Sequence, residues 1–211
     1  MTIATKLERT KDAWGFWMGW TAANAVGWAV GLTVMTAVQL ALEAASGGAL
    51  VEAEGGAVLE SVGNLLFGLA VGAMQWLALR RRIVGARWWI PATAVGFFLA
   101  GLVGGALEDI GSAAGGFVVS FGLGAAAGTL QWLILRRQVR RAGWWVLAST
   151  ILVFAGLIAG LLIAVTLTGE MPGVSAGMVA FAAVSGAVFG MTSGFVLMWL
   201  LRQPVLMEHS R

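Results

Sequence analysis

The chain has 211 residues, 59% of them hydrophobic and 11% charged, with a mean hydropathy of +0.88. Soluble domains carry roughly 25% charged residues, so a water-soluble globule, whose helices need a polar face, is excluded. The net charge is only +3 although the pI is near 10.6. Opposite charges separated across a membrane explain that imbalance better than nucleic acid does, and no nucleic-acid partner is expected. Cysteine is absent, which removes disulfides and thiol chemistry.

Six stretches carry no charged residue: Ala13–Leu42, Ser61–Leu79, Trp88–Leu107, Ile110–Leu135, Ala142–Gly169 and Met171–Leu201. A helix needs about 20 apolar residues to cross the hydrocarbon core, so each predicts one crossing. The fold class read from this pattern is all-α, an integral membrane bundle of six transmembrane helices. The first stretch follows Lys6, Arg9, Lys11 and Asp12, opens on Trp14, Trp17 and Trp20, and carries Asn24. Mixed charge before it and a run too long for a signal-peptide core predict that it is retained.

The second stretch carries Asn64 and ends in Gly68-x3-Gly72-x2-Gln75-Trp76-Leu77-x-Leu79-Arg80-Arg81. The third opens on Trp88-Trp89. The fourth repeats the string as Gly124-x3-Gly128-x2-Gln131-Trp132-Leu133-x-Leu135-Arg136-Arg137, and the fifth opens on Trp144-Trp145. The sixth keeps the spacing as Gly190-x3-Gly194-x7-Arg202, with Leu197 and Met198 where Gln and Trp stood. One membrane domain, 1–211, is therefore expected to hold three tandem hairpins at about 13–82, 87–141 and 142–203, followed by a short tail, 204–211. A two-helix unit repeats in the same orientation, so the copies are parallel, about an axis along the membrane normal. A threefold arrangement and a row of hairpins both remain open.

All thirteen Lys and Arg fall at one set of helix ends, and Glu43, Glu52, Glu54, Glu60, Glu108, Asp109 and Glu170 at the other. Basic residues in short loops stay on the cytoplasmic side, which predicts both termini in the cytoplasm.

Three sets of residues stand out as candidates. Gly68, Gly72, Gly124, Gly128, Gly190 and Gly194 form small-residue faces for close helix packing. Trp76, Trp88, Trp89, Trp132, Trp144 and Trp145 suit anchoring at the headgroup boundary. Asn24, Asn64, Gln75 and Gln131 are amides inside the bilayer, either fixing helix register by hydrogen bonds or lining a path for a solute. The chemistry of turnover is missing. The one histidine, His209, is in the tail, and no ionisable residue lies within a span, which argues against proton relays and coupled transport. Neither a nucleophile–base pair nor metal-ligand spacing is present, so no enzyme, metal or catalytic residue is expected. Cofactors are not predicted, and the Trp-rich half offers a flat surface for a lipid or carotenoid-like molecule before any tetrapyrrole.

At the repeated Gly-x3-Gly-x2-Gln-Trp-Leu-x-Leu-Arg-Arg string, over Leu65–Gly160, the chain resembles a group of uncharacterised bacterial multi-spanning membrane proteins built from this hairpin. The resemblance implies a bacterial cytoplasmic (inner) membrane protein and no particular activity. Together these features predict a non-catalytic scaffold or accessory subunit packing against membrane lipids, partner helices of a larger complex, or itself as a homo-oligomer. The alternative is a transporter or channel for a small neutral or apolar solute.

Overall fold

A computed structural model describes residues 3–47, 56–105, 112–168 and 176–203. They form α1 (Ile3–Ser46), α2 (Gly56–Leu79), α3 (Trp89–Gly105), α4 (Ser112–Leu135), α5 (Trp144–Thr168) and α6 (Ala176–Leu201), with a 3-10 turn, Ala86–Trp88, leading into α3. Glu52, Glu54, Glu108, Asp109, Glu170, His209 and Arg211 lie outside the described residues, as do the side chains of Lys6, Arg9 and Lys11. All six helices are long and apolar enough to cross a membrane. In hydrocarbon every backbone N–H and C=O must be satisfied within the segment, so these runs close on themselves as helices despite their glycine content. Pro91 costs α3 little, because it stands in the first turn, where the missing N–H has no helical partner. At 1.5 Å per residue, the 44 residues of α1 exceed any bilayer, and its span begins only at Asp12.

Each helix packs chiefly against its two neighbours in the chain, and α1 packs against α6, so the six close into a ring. The glycines show the direction of each contact. A Cβ on Gly68 would stand 2.7 Å from the Ala94 Cα, and one on Gly72 3.0 Å from that of Ile90. On α4, Gly124 faces Thr150 and Gly128 faces Val146; on α6, Gly186 faces Trp28 and Gly190 faces Thr21. Gly27 meets Val71 and Gly31 meets Phe67. Gly96 meets Ala127 and Gly104 meets Val119, while Gly156 meets Phe189 and Gly160 meets Ser185. Numbers rise on one helix as they fall on its neighbour at every contact, so adjacent helices run antiparallel around the whole ring. Small residues let these backbones meet where lipid supplies little hydrophobic drive, and dispersion contact holds them.

The alternation brings Arg80, Arg81, Arg82, Arg87, Arg136, Arg137, Arg140, Arg141 and Arg202 to one end of the ring. There the connections interlock. Gln138 Nε2 donates to the Val84 carbonyl at 2.9 Å while its Oε1 accepts the Val84 N–H at 2.8 Å. The Arg140 N–H donates to Gln203 O at 2.8 Å, and Arg82 Nη2 to Asp12 O at 3.1 Å. In the α2–α3 turn Gly85 is left-handed at φ 72°, and in the α4–α5 turn the corresponding place falls to Arg141 at φ 57°. Beneath this rim lies an apolar plug, including Leu79, Leu135 and Leu197 with Ile83, Val139 and Leu200.

Candidate functional site at the ring axis

Three indoles meet under the plug. Trp20, Trp89 and Trp145 are fully buried, and their ring centroids stand 5.8–6.4 Å apart in pairs, in edge-on and tilted contacts. Edge-to-face geometry suits the aromatic quadrupole. Each helix that supplies an indole places a small polar side chain one turn further on: Asn24, Thr93 and Ser149. Each of these donates back to the carbonyl of its tryptophan, at 2.8, 2.9 and 2.8 Å.

The indole N–H groups need acceptors, and the even helices supply them. Trp89 donates to Gln75 Oε1 and Trp145 to Gln131 Oε1, both at 2.8 Å, and Trp20 donates to Ser193 Oγ at 3.0 Å. Both glutamines then reach backwards across the ring. Gln75 Nε2 donates to Asn24 Oδ1 at 2.8 Å, and Gln131 Nε2 to Thr93 Oγ1 at 2.9 Å. A longer contact of 3.4 Å joins Gln131 Nε2 to Gln75 Oε1. Gln75 thus ties α1 to α3, and Gln131 ties α3 to α5. Ser193 is too short to do both, and opposite it Ser149 turns to its own helix and to Gly124 O, at 3.1 Å. The polar belt is a horseshoe, bridged from α1 round to α5 and unbridged between α5 and α6.

On α6 the correspondence with α2 and α4 runs one turn earlier than the glycine-to-arginine spacing predicts. Gly186 and Gly190 face α1 as Gly68 and Gly72 face α3, Ser193 takes the indole in the place of Gln75, and Leu197 joins Leu79 and Leu135 in the plug. Gly194 still packs closely, with a Cβ there 3.0 Å from Trp17 and 3.1 Å from Trp20.

Below the belt the axis is filled by Trp28, Phe67, Val71, Phe97, Leu123 and Phe189. A cavity of about 10 Å³ remains, bordered by Gln75, Thr93, Gln131 and Ser149 above and by aromatic and aliphatic side chains below. That is room for one water at most. The Trp28 N–H, Thr21 Oγ1 and Ser185 Oγ are buried without a hydrogen-bond partner. The other buried polar side chains among the described residues are amides, hydroxyls and indoles, none ionisable. The amides, hydroxyls and indoles of the site donate and accept hydrogen bonds. Among the described residues no three His, Asp or Glu gather as metal ligands.

Of the four candidate lining amides, Asn24, Gln75 and Gln131 converge here. Asn64 does not: it sits further down α2 against Gly101, where a Cβ would stand 2.7 Å from its Nδ2. All six packing glycines lie against a neighbouring helix. The anchoring tryptophans divide. Trp88 and Trp144 are exposed, and Trp76 and Trp132 are partly buried at the rim. Trp89 and Trp145 are not lipid anchors, because one residue along a helix turns a side chain by about 100°, from the lipid face to the axis. Sequence reasoning missed Trp20, Thr93, Ser149 and Ser193 as members of the site. The signal for the first three was present as a polar residue four places after a tryptophan in each odd helix.

Comparison of the chain with protein-family models, with curated proteins and with solved structures finds no match.

Proposed function

We propose that this chain is a non-catalytic integral membrane protein, a scaffold or accessory subunit that offers partner helices, lipids or a second copy a rigid apolar cylinder. The observation that carries the reading is the filled axis. Its polar groups are committed largely to one another, and three indoles with a leucine layer stand across one end. A permeation path for a neutral solute needs side-chain donors and acceptors open to that solute, whereas Gln75 and Gln131 each use both ends of the amide internally. The exposed apolar side chains on every helix suit lipid or partner helices instead.

Three equivalent pairs, α2–α3, α4–α5 and α6–α1, make up the ring in this proposal, the third being split between the two ends of the chain. The arginine-rich end faces the cytoplasm of a bacterium, and with it both termini, by the retention of basic loops.

Reconstitution tests the function directly. Proteoliposomes should pass water, glycerol and urea no faster than protein-free vesicles of the same lipid. Faster flux that disappears in Gln75→Leu and Gln131→Leu would overturn the scaffold reading in favour of a channel. Gentle purification from the native membrane should in turn bring a partner subunit, or a second copy, with the chain.

A further inference from the structure

The basic end contains more than a ring of loop charges. Beside the α2–α3 turn lies a groove of about 610 Å³ bordered by Trp76, Arg80, Arg81, Arg82 and Arg87. Two of its guanidiniums are held over aromatic rings: Arg80 lies 5.9 Å from the centroid of Trp76, and Arg87 5.9 Å from that of Trp88. Arg82 is engaged elsewhere, over Phe16 at 4.6 Å and on the Asp12 carbonyl. Among the described residues, the partners of these four side chains are rings and a backbone carbonyl, and none is a carboxylate. The groove therefore concentrates positive charge that the described protein does not neutralise.

The floor is fixed rather than loose. Ile83 and Ala86 are buried in the plug, and Val84 is clamped by both ends of the Gln138 amide. The rim is apolar and faces outward: Val84 is 83% exposed and Trp88 58%. Down α2 from Trp76, Ala73 and Leu69 continue the same face one and two turns further from the charges. Ala73 is half-buried and adds only a methyl group, while Leu69 is exposed. An arginine-bordered end thus leads into an exposed apolar track, with a tryptophan at the junction where indole rings favour the headgroup boundary.

We propose that this groove is a binding site for an anionic phospholipid, with the phosphate between Arg80, Arg81 and Arg87 and an acyl chain along Trp76, Ala73 and Leu69. Guanidinium groups pair with phosphate through parallel hydrogen bonds, and Arg80 and Arg87 each lie over a ring beside the groove. A soluble phosphate compound would use the arginines and leave the apolar track empty. The site deepens the lipid-packing part of the scaffold reading, on which it rests. Flux measurements bear on that reading and leave the lipid site unaffected.

The test is native mass spectrometry of the full chain, delipidated in detergent and titrated with phosphatidylglycerol or phosphatidylcholine. One phosphatidylglycerol should bind in clear preference to phosphatidylcholine. Each arginine removed should weaken it about five-fold, so Arg80→Gln with Arg87→Gln should weaken it about 25-fold and leave phosphatidylcholine unchanged. Arg140→Gln with Arg141→Gln removes the same charge from the same end and should change the first binding step less than about two-fold, since neither borders the groove. Equal losses in the two double variants would overturn the site in favour of diffuse charge. Displacement by millimolar inorganic phosphate would overturn the lipid as its occupant. Trp76→Leu, which leaves every charge in place, should also weaken phosphatidylglycerol, and binding unchanged in that variant would overturn the role of the aromatic junction.

Discussion

The pair α4–α5 and the pair α6–α1 solve one packing problem with different means. In the first, a basic turn joins two helices, two glycines admit the partner backbone, and a glutamine accepts an indole N–H and passes a hydrogen bond to the previous pair. In the second, no loop joins the helices. The glycines and the buried indole are present, but the acceptor is a serine and the onward bridge is missing. The difference separates what each contact requires from what the ring merely gains. Close backbone approach and an acceptor for the indole occur in every pair. The amide bridge occurs in two of three, so it ties neighbouring pairs together and is not a condition of the pairing.

The comparison would break most clearly at the glycines. Gly72→Leu, Gly128→Leu and Gly190→Leu should each lower stability by about 1–3 kcal/mol or more, because the nearest neighbour is unyielding backbone at Gly72 and Gly190 and the buried Ser149 side chain at Gly128. Thermal unfolding in detergent measures this, with Gly15→Leu as a control, since nothing lies within 4 Å of a Cβ there. A mild Gly190→Leu would mean that the α6–α1 contact is looser than the other two.

A smaller effect is expected at the acceptors. Gln131→Leu strands the Trp145 N–H and removes a donor from Thr93, which should cost about 1–2 kcal/mol, near the upper range for polar contacts between membrane helices. Ser193→Ala strands only the Trp20 N–H and should cost about 0.6 kcal/mol, a typical single bond. Equal losses would show that the onward bridge contributes nothing.

The smallest effect lies in the turns. A residue with a Cβ pays roughly 1–2 kcal/mol for the left-handed conformation, partly offset by glycine's greater freedom when unfolded. Arg141→Gly should therefore raise the melting temperature slightly, while Gly85→Ala should lower it.

The six helices were legible because charge is excluded from hydrocarbon, so uncharged runs mark the crossings from Ala13 to Leu201 without any tertiary information. Glycine faces were legible for a similar reason, since residues four apart share a helix face. What sequence left open was rotation and the arrangement of the three hairpins that it grouped at about 13–82, 87–141 and 142–203. Three glycines in a row on α6, Gly186, Gly190 and Gly194, fit two registers. Spacing to Arg202 favoured the later one, while the indole of Trp20, far away in the chain, fits the earlier. Trp88 and Trp89 likewise look alike in a string of letters, and only the position of the axis makes one exposed and the other core. The α1–α6 contact has no local signature at all, because its two faces stand at opposite ends of the sequence.

That contact sets an order of manufacture. A ribosome releases α1 before α6, so Trp20 lies in the bilayer without Ser193, and Trp28 and Thr21 without Gly186 and Gly190, until five helices have been made. Asn24 gains its bond from Gln75 as soon as α2 arrives, which holds α1 near the growing arc in the meantime. Five helices form an open crescent with an unpaired indole N–H and a bare apolar edge. The lone Trp20 N–H costs about 0.6 kcal/mol and the bare edge of α1 lacks the close glycine contacts of α6, so a chain without α6 is incomplete at one defined seam. The arrival of α6 removes that seam by closing the ring.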